Sequence, residues 1–213
     1  MTQTVSYISP PSALDGPSLD KIIIVRHGKP ALSRKVQLTW QEYRDWWQQY
    51  DLGGLLPVQK IPKKVKNIAA TADIVISSPL RRAVESAELL TGGAPDKILP
   101  ELIEAALPSP HLGPLKFRPK TWGTWSRIVW YFGYAGGMEN HRDARNRVEG
   151  VCDVLMNEAA GGKVVLVTAH GWINRMIKGS LMKRGWKCVH QNGDLHWSFR
   201  ILERKTKAEN HER

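Results

Sequence analysis

The chain reads as an α/β protein, a three-layer sandwich whose mostly parallel central sheet is flanked by helices. Three observations predict this. Short apolar runs alternate with longer segments of helical periodicity along most of the 213 residues. Two of those runs, 21–26 and 163–169, are apolar almost throughout, which is expected of strands covered on both faces. Three runs stop on polar residues: Arg26-His27-Gly28, Ser77-Ser78-Pro79-Leu80-Arg81-Arg82-Ala83 and His170-Gly171. In a parallel sheet such ends share one rim, where open α/β sheets bind ligands.

Taken in order, residues 1–19 with Pro10, Pro11 and Pro17 read as a flexible leader. The first strand spans 21–26. From Thr39 to Tyr50, Trp40, Tyr43, Trp47 and Tyr50 recur at spacings of three and four, an amphipathic helix. Gly53, Gly54 and Pro57 end it, and a second helix spans Val58 to Ala72, with Pro62 disturbing its start. Asp73 to Ser77 is a strand, Arg81 to Leu90 a helix, and Lys97 to Leu102 a weaker strand. Residues 105–137, with prolines at 108, 110, 114 and 119, break the alternation. Asn140 to Ala160 returns to helix, Lys163 to Ala169 is a strong strand, and Trp172 to Met182 is a helix. Leu195 to Leu202 alternates as a last strand at an edge of the sheet. Residues 205–213 are a polar tail.

Composition bounds the function. Apolar residues make up 42% and charged residues 24%, the balance of a globular domain. No stretch approaches the length of a membrane span, and the first 20 residues lack the pattern of a signal peptide. Cys152 and Cys188 are too few for a disulfide framework or a cysteine zinc site, so a cytoplasmic, reducing location is expected. The net charge of +11 favours acidic partners: phosphorylated small molecules or proteins, or an anionic membrane surface touched peripherally. The basic residues are spread along the chain rather than gathered in an arm, so nucleic acid is not expected. No glycine-rich loop precedes a lysine, which excludes a nucleotide-driven phosphotransfer enzyme of that kind. His111, His141, His190, His196 and His211 show no metal-ligand spacing and read as surface or core residues. The sequence does not set the oligomeric state.

The three polar strand ends carry the chemistry. Two imidazoles and two guanidiniums around one point suit a tetrahedral phosphoryl group. The guanidiniums neutralise its oxygens, one histidine attacks phosphorus, and the other donates to the developing charge. Gly28 lets a ligand approach the backbone. A nearby carboxylic acid would protonate the leaving group.

In this order the motifs resemble the histidine phosphatase superfamily, which also contains the cofactor-dependent phosphoglycerate mutases. The resemblance covers residues 20–204 and implies a phosphoglycerate-mutase-like catalytic domain, with 105–137 as its variable cap. It implies that His27 becomes a phosphohistidine, that Arg26, Arg82 and His170 hold the phosphoryl group with Gly28, and that neither metal nor cofactor is used. The motif points to Arg82 rather than Arg81. Gly171 places the chain in the branch whose acid follows the middle strand, where Leu102-Ile103-Glu104 matches and Glu104 becomes the proton donor; Glu101 lies three residues away. The chain departs from the mutases at Lys29-Pro30-Ala31 and at Ala105-Ala106-Leu107-Pro108. Both departures favour hydrolysis of a phosphomonoester over a phosphotransferase or mutase reaction. A catalytically silent protein that binds phosphate or an anionic surface is the alternative from another class.

Six aromatics fall between Trp122 and Tyr134. They read as a lid over the pocket that grips an apolar substrate group through Trp125 and Trp130, with Lys29 adding charge at the rim. They could equally be an interfacial surface, or core packed against Trp40 and Trp47. Glu139 precedes a helix and has either a structural or a pocket role.

Overall fold

The computed structural model describes residues 19–206; the leader to residue 18 and the tail from residue 207 lie outside the described residues. Six strands form one sheet: β1 (Leu19–Arg26), β2 (Ile74–Ser77), β3 (Lys97–Ile98), β4 (Val164–Ala169), β5 (Lys187–Gln191) and β6 (Phe199–Lys205). Their order is β3-β2-β4-β1-β6-β5. β1, β2, β3 and β4 pair in parallel, and β6 runs antiparallel to both neighbours.

The apolar runs are explained by burial on both faces. Ile22 and Ile24 of β1 join Val165 and Val167 of β4 in one core, beneath the helices α5 (His141–Ala159) and α6 (Gly171–Lys183). Ile23 and Val25 join Leu166 in the opposite core, beneath α2 (Lys63–Ala69) and α3 (Arg81–Thr91). Register then fixes the rim. Arg26 lies opposite Ala169, and Ser77 opposite Thr168, so the residues after β1, β2 and β4 emerge together.

A third cluster sits over those strand ends. The helices α1 (Trp40–Leu52) and α4 (Pro119–Tyr131) pack through Tyr43, Trp46, Tyr50 and Trp122. Thr39 caps α1 in a reciprocal capping box with Glu42, and Asn140 caps α5 through Asp143 N–H.

Four local expectations are corrected. The Lys97–Leu102 strand is only Lys97–Ile98, because Pro100 has no N–H for the ladder and opens a 3-10 turn at Pro100–Leu102. The helix expected over 58–72 is Lys63–Ala69, starting directly after Pro62. The final strand begins at Phe199 and lies inside the sheet; the edge belongs to β5, whose mixed polar sequence gave no strand signal. Residues 195–198 instead turn at Trp197, the one described non-glycine residue with positive φ, at 61°. Finally, α4 lies within 105–137, its buried face spaced by four at Trp122, Ser126 and Trp130.

Candidate active site

His27 follows β1 directly. Its N–H donates to the Ala169 carbonyl at 3.0 Å, which locks the loop to the neighbouring parallel strand. Its Nδ1 lies 2.7 Å from the Gly28 carbonyl. A carbonyl can only accept, so Nδ1 carries the ring proton and Nε2 keeps the lone pair. Among the described residues no hydrogen bond engages Nε2. Burial, then His170, Arg82 and Arg26, holds the His27 pKa well below the ordinary histidine value. The ring is therefore a neutral nitrogen base.

His170 follows β4 and begins α6, its ring centroid 5.2 Å from that of His27. Its Nε2 lies 2.8 Å from Ser78 Oγ, and its Nδ1 is buried without a partner. Ser78 Oγ also accepts the Leu80 N–H, and its hydroxyl either donates to His170 Nε2 or accepts from it. When Ser78 donates, Nδ1–H is the unused donor. Burial, then Arg82 and Arg26, also holds this ring well below the ordinary value.

The two motif arginines are set differently. Arg26 donates from Nη1 to the Asp194 carbonyl and leaves Nε buried and unpartnered. A Cβ on Gly171 would lie 3.2 Å from the Arg26 guanidinium carbon, which explains why no side chain stands there. Arg82, fully buried, donates to the Tyr50 carbonyl and to Asp51 Oδ1, both at 2.9 Å, and covers the Tyr50 ring at 4.6 Å. Its Nε is the unpartnered donor. Arg81 is exposed and pairs with Glu85 at 2.6 Å.

Glu104 meets the start of α6. Its carboxylate accepts the Ala105 N–H at 3.0 Å, the Trp172 N–H at 3.1 Å and the Ile173 N–H at 3.0 Å. Arg127 of α4 fixes the loop that follows, donating to the Ala105 and Ala106 carbonyls at 2.7 Å each. Glu101 is exposed, and its backbone carbonyl accepts from Arg147.

A cavity of about 370 Å³ opens beside this cluster; His27, Arg82 and His170 are buried and do not line it. Arg26, Glu104 and Gly171 line it together with Arg34, Lys120, Arg127, Arg175 and Asp194. Asp194 pairs with Arg175 at 2.7 Å, and that hydrogen bond keeps its carboxyl below the usual range. Arg34 has no hydrogen bond or ion pair among the described residues, and its Nε is buried without a partner. No group of three or more His, Cys, Asp and Glu side chains among the described residues is placed to hold a metal ion.

Arg26, His27, Arg82, His170 and Glu104 are thus brought to one rim, but other assignments change. The Gly28 N–H is spent on Ser86 Oγ at 2.9 Å and its carbonyl on His27. A Cβ there would lie 2.4 Å from the Trp197 ring. The absence of a side chain at Gly28 makes room for the Trp197 indole. Lys29 is exposed and outside the cavity wall. Trp125 is half exposed and also outside it. Trp130 is fully buried, with its indole N–H on the Glu139 carbonyl at 2.8 Å, so it is core. Glu139 forms a bidentate pair with Arg147 and is structural.

Sequence reasoning missed His196, whose ring lies 5.6 Å from His27 and whose pKa falls to about 4, chiefly through burial. It missed Arg34 and Asp194 as well, for which the sequence carries no signal. Arg175 was legible: it stands one helical turn after Gly171, on the same face.

The fold, with two histidines and two arginines at one rim, defines a class by its architecture, and comparison with known proteins agrees. The family model of the histidine phosphatase superfamily (branch 1) matches residues 22–209, and the chain belongs to that superfamily. No curated protein matches. Among solved structures, the chain is similar to a phosphoserine phosphatase mutant from Entamoeba histolytica bound to phosphoserine. The two are 14% identical over 85% of this chain and 89% of that one, with a TM-score of 0.51. It is also similar to a protein from Escherichia coli K-12 assigned as an alpha-ribazole-5'-P phosphatase, at 19% identity over 76% and 79%, with a TM-score of 0.50. A third is a mycobacterial hydrolase, at 15% identity over 87% and 82%, with a TM-score of 0.51. At these identities the likeness is one of fold.

Proposed function

We propose that the protein is a metal-independent phosphomonoesterase working through a phosphohistidine at His27. The observation that carries this reading is the His27 ring: neutral, proton fixed on Nδ1 by Gly28, and Nε2 uncommitted beside His170. In the first step Nε2 bonds to phosphorus as the ester P–O bond breaks, and Glu104 gives its proton to the departing oxygen. In the second, water attacks phosphorus, the P–N bond breaks, and the water proton returns to Glu104. The spare donors support the holding of the phosphoryl oxygens by Arg26 Nε, Arg82 Nε and His170 Nδ1. The two guanidiniums supply the charge stabilisation that a metal would otherwise give, and the neutral His170 ring adds a hydrogen-bond donor.

The Glu104 role is favoured over Glu101 because only Glu104 lines the cavity. Residues 105–137 act as the cap, α4 contributing Lys120, Gly123, Thr124 and Ile128 to the wall. The substrate is a phosphorylated small molecule or a phosphorylated side chain, with the leaving group seated between Trp47, Ile128 and Trp172. Both cysteines are free, in keeping with a reducing compartment such as the cytoplasm. The test is release of inorganic phosphate from a broad phosphomonoester panel in excess chelator. Release that His27→Ala abolishes supports the reading. Absence of release, or dependence on an added divalent ion, overturns it and leaves a binding protein or a metal enzyme.

A further inference from the structure

Helix α4 has a second, exposed apolar face, of which the catalytic reading uses only Ile128. Trp125, Ile128 and Phe132 stand at i, i+3 and i+7 on its outer side, all exposed. Tyr131 at the helix end and Tyr134 and Met138 beyond it add to this surface, with Phe132 83% and Tyr131 62% exposed. A continuous apolar patch of this kind on a soluble domain marks a contact surface. In sequence the patch is bracketed by exposed basic residues, Lys116, Arg118 and Lys120 before it and Arg142 and Arg145 after it. Between residues 115 and 145 the acidic residues are Glu139, held by Arg147, and Asp143.

We infer that this surface docks on an anionic lipid bilayer. Tyr131 borders a shallow cavity with His141 and Arg145, but Phe132 stands 83% exposed at the helix end, and a bare aromatic beside basic residues suits insertion between headgroups. A second copy of the chain would set the same five cations against themselves across a two-fold axis. The net charge of +11 and the local basic excess match anionic headgroups. Ile128 belongs both to the patch and to the cavity wall, so docking through this face sets the cavity mouth beside the headgroups.

The inference does not rest on the hydrolase reading, and its test needs no catalysis. The full chain is floated with vesicles of phosphatidylcholine alone and of phosphatidylcholine mixed with phosphatidylglycerol. It partitions onto the mixed vesicles and not the neutral ones, and added salt weakens the partition. Phe132→Asp with Tyr131→Asp lowers the partition coefficient roughly tenfold or more, the least that burying one aromatic ring contributes. Activity on a small soluble phosphomonoester is unchanged, since neither residue lines the cavity. Arg142→Glu with Arg145→Glu also weakens binding. Equal partition of wild type and the aromatic double variant overturns the inference, because net charge alone then explains the binding. Failure of the wild type to float overturns it too, as does a dimer in sedimentation velocity that Phe132→Asp dissolves.

Discussion

Truncating Trp130 to alanine separates a tryptophan of the core from one that grips substrate. Trp130 is fully buried against Ala105, Ala144, Trp172 and Met176. Its N–H bonds the Glu139 carbonyl at 2.8 Å, and Arg127 stacks on its ring at 4.9 Å. Removing such a ring from a close-packed site costs about 3–5 kcal/mol, the lost transfer free energy plus the cavity left behind. For a domain of this size each kcal/mol shifts the melting temperature by roughly 2–4 °C, so Trp130→Ala should melt roughly 6–20 °C below wild type. Trp125, on the outer side of the same helix and 44% exposed, should change stability by less than about 1 kcal/mol on truncation. The assay is thermal and urea denaturation of the three proteins, followed by circular dichroism, with KM measured for aromatic and small polar phosphomonoesters. A Trp130→Ala protein that melts with wild type and loses affinity only for aromatic substrates would refute the core assignment.

Three further outcomes are expected. Gly28→Ala forces a Cβ to 2.4 Å from the Trp197 ring and should cost about 1–3 kcal/mol, read by urea denaturation; a neutral effect would show that the indole moves freely. Glu104→Gln should slow hydrolysis of an alkyl phosphate about 10²-fold or more and a nitrophenyl phosphate much less; equal slowing of both removes Glu104 as proton donor. Acid should destabilise the fold: His27 and His170 are held well below 6.5 and His196 near 4, mainly by burial. Unfolded, the same rings titrate near 6.5, so below that pH the unfolded chain binds protons that the native state refuses, and stability falls as pH falls toward 4. Each ring contributes up to about 1.4 kcal/mol per pH unit; urea midpoints that stay flat from neutral pH to 5 contradict the burial of these rings as neutral groups.

The sequence was most informative where one physical constraint dominated. β1 and β4 are buried on both faces, so their apolar runs announced themselves, and the parallel register carried Arg26, His27, Ser78 and His170 to one rim. The serine-serine segment pointed to Arg82 over Arg81, and the structure buries Arg82 while leaving Arg81 exposed. The misses arose where tertiary contacts outweighed local pattern. Residues 195–198 alternate like a strand, yet Trp197 adopts a positive φ to seat its indole on Gly28, which swings His196 toward His27. β5 escaped notice because an edge strand can be polar. α4 was hidden by Pro119 and Gly123 within it and by the prolines at 108, 110 and 114 before it. Within it, Trp125 and Trp130 looked alike, since only the packing of α4 on α1 and α5 decides which faces inward.

The central claim is that His27 Nε2 bonds to phosphorus. Brief mixing of the enzyme with a labelled phosphomonoester, followed by rapid quenching and peptide mapping, tests it most directly. The account predicts label on the peptide holding His27, stable to base and lost in acid, absent from His27→Ala and retained in excess chelator. Label on any other residue, or turnover in His27→Ala at the wild-type rate, would contradict it.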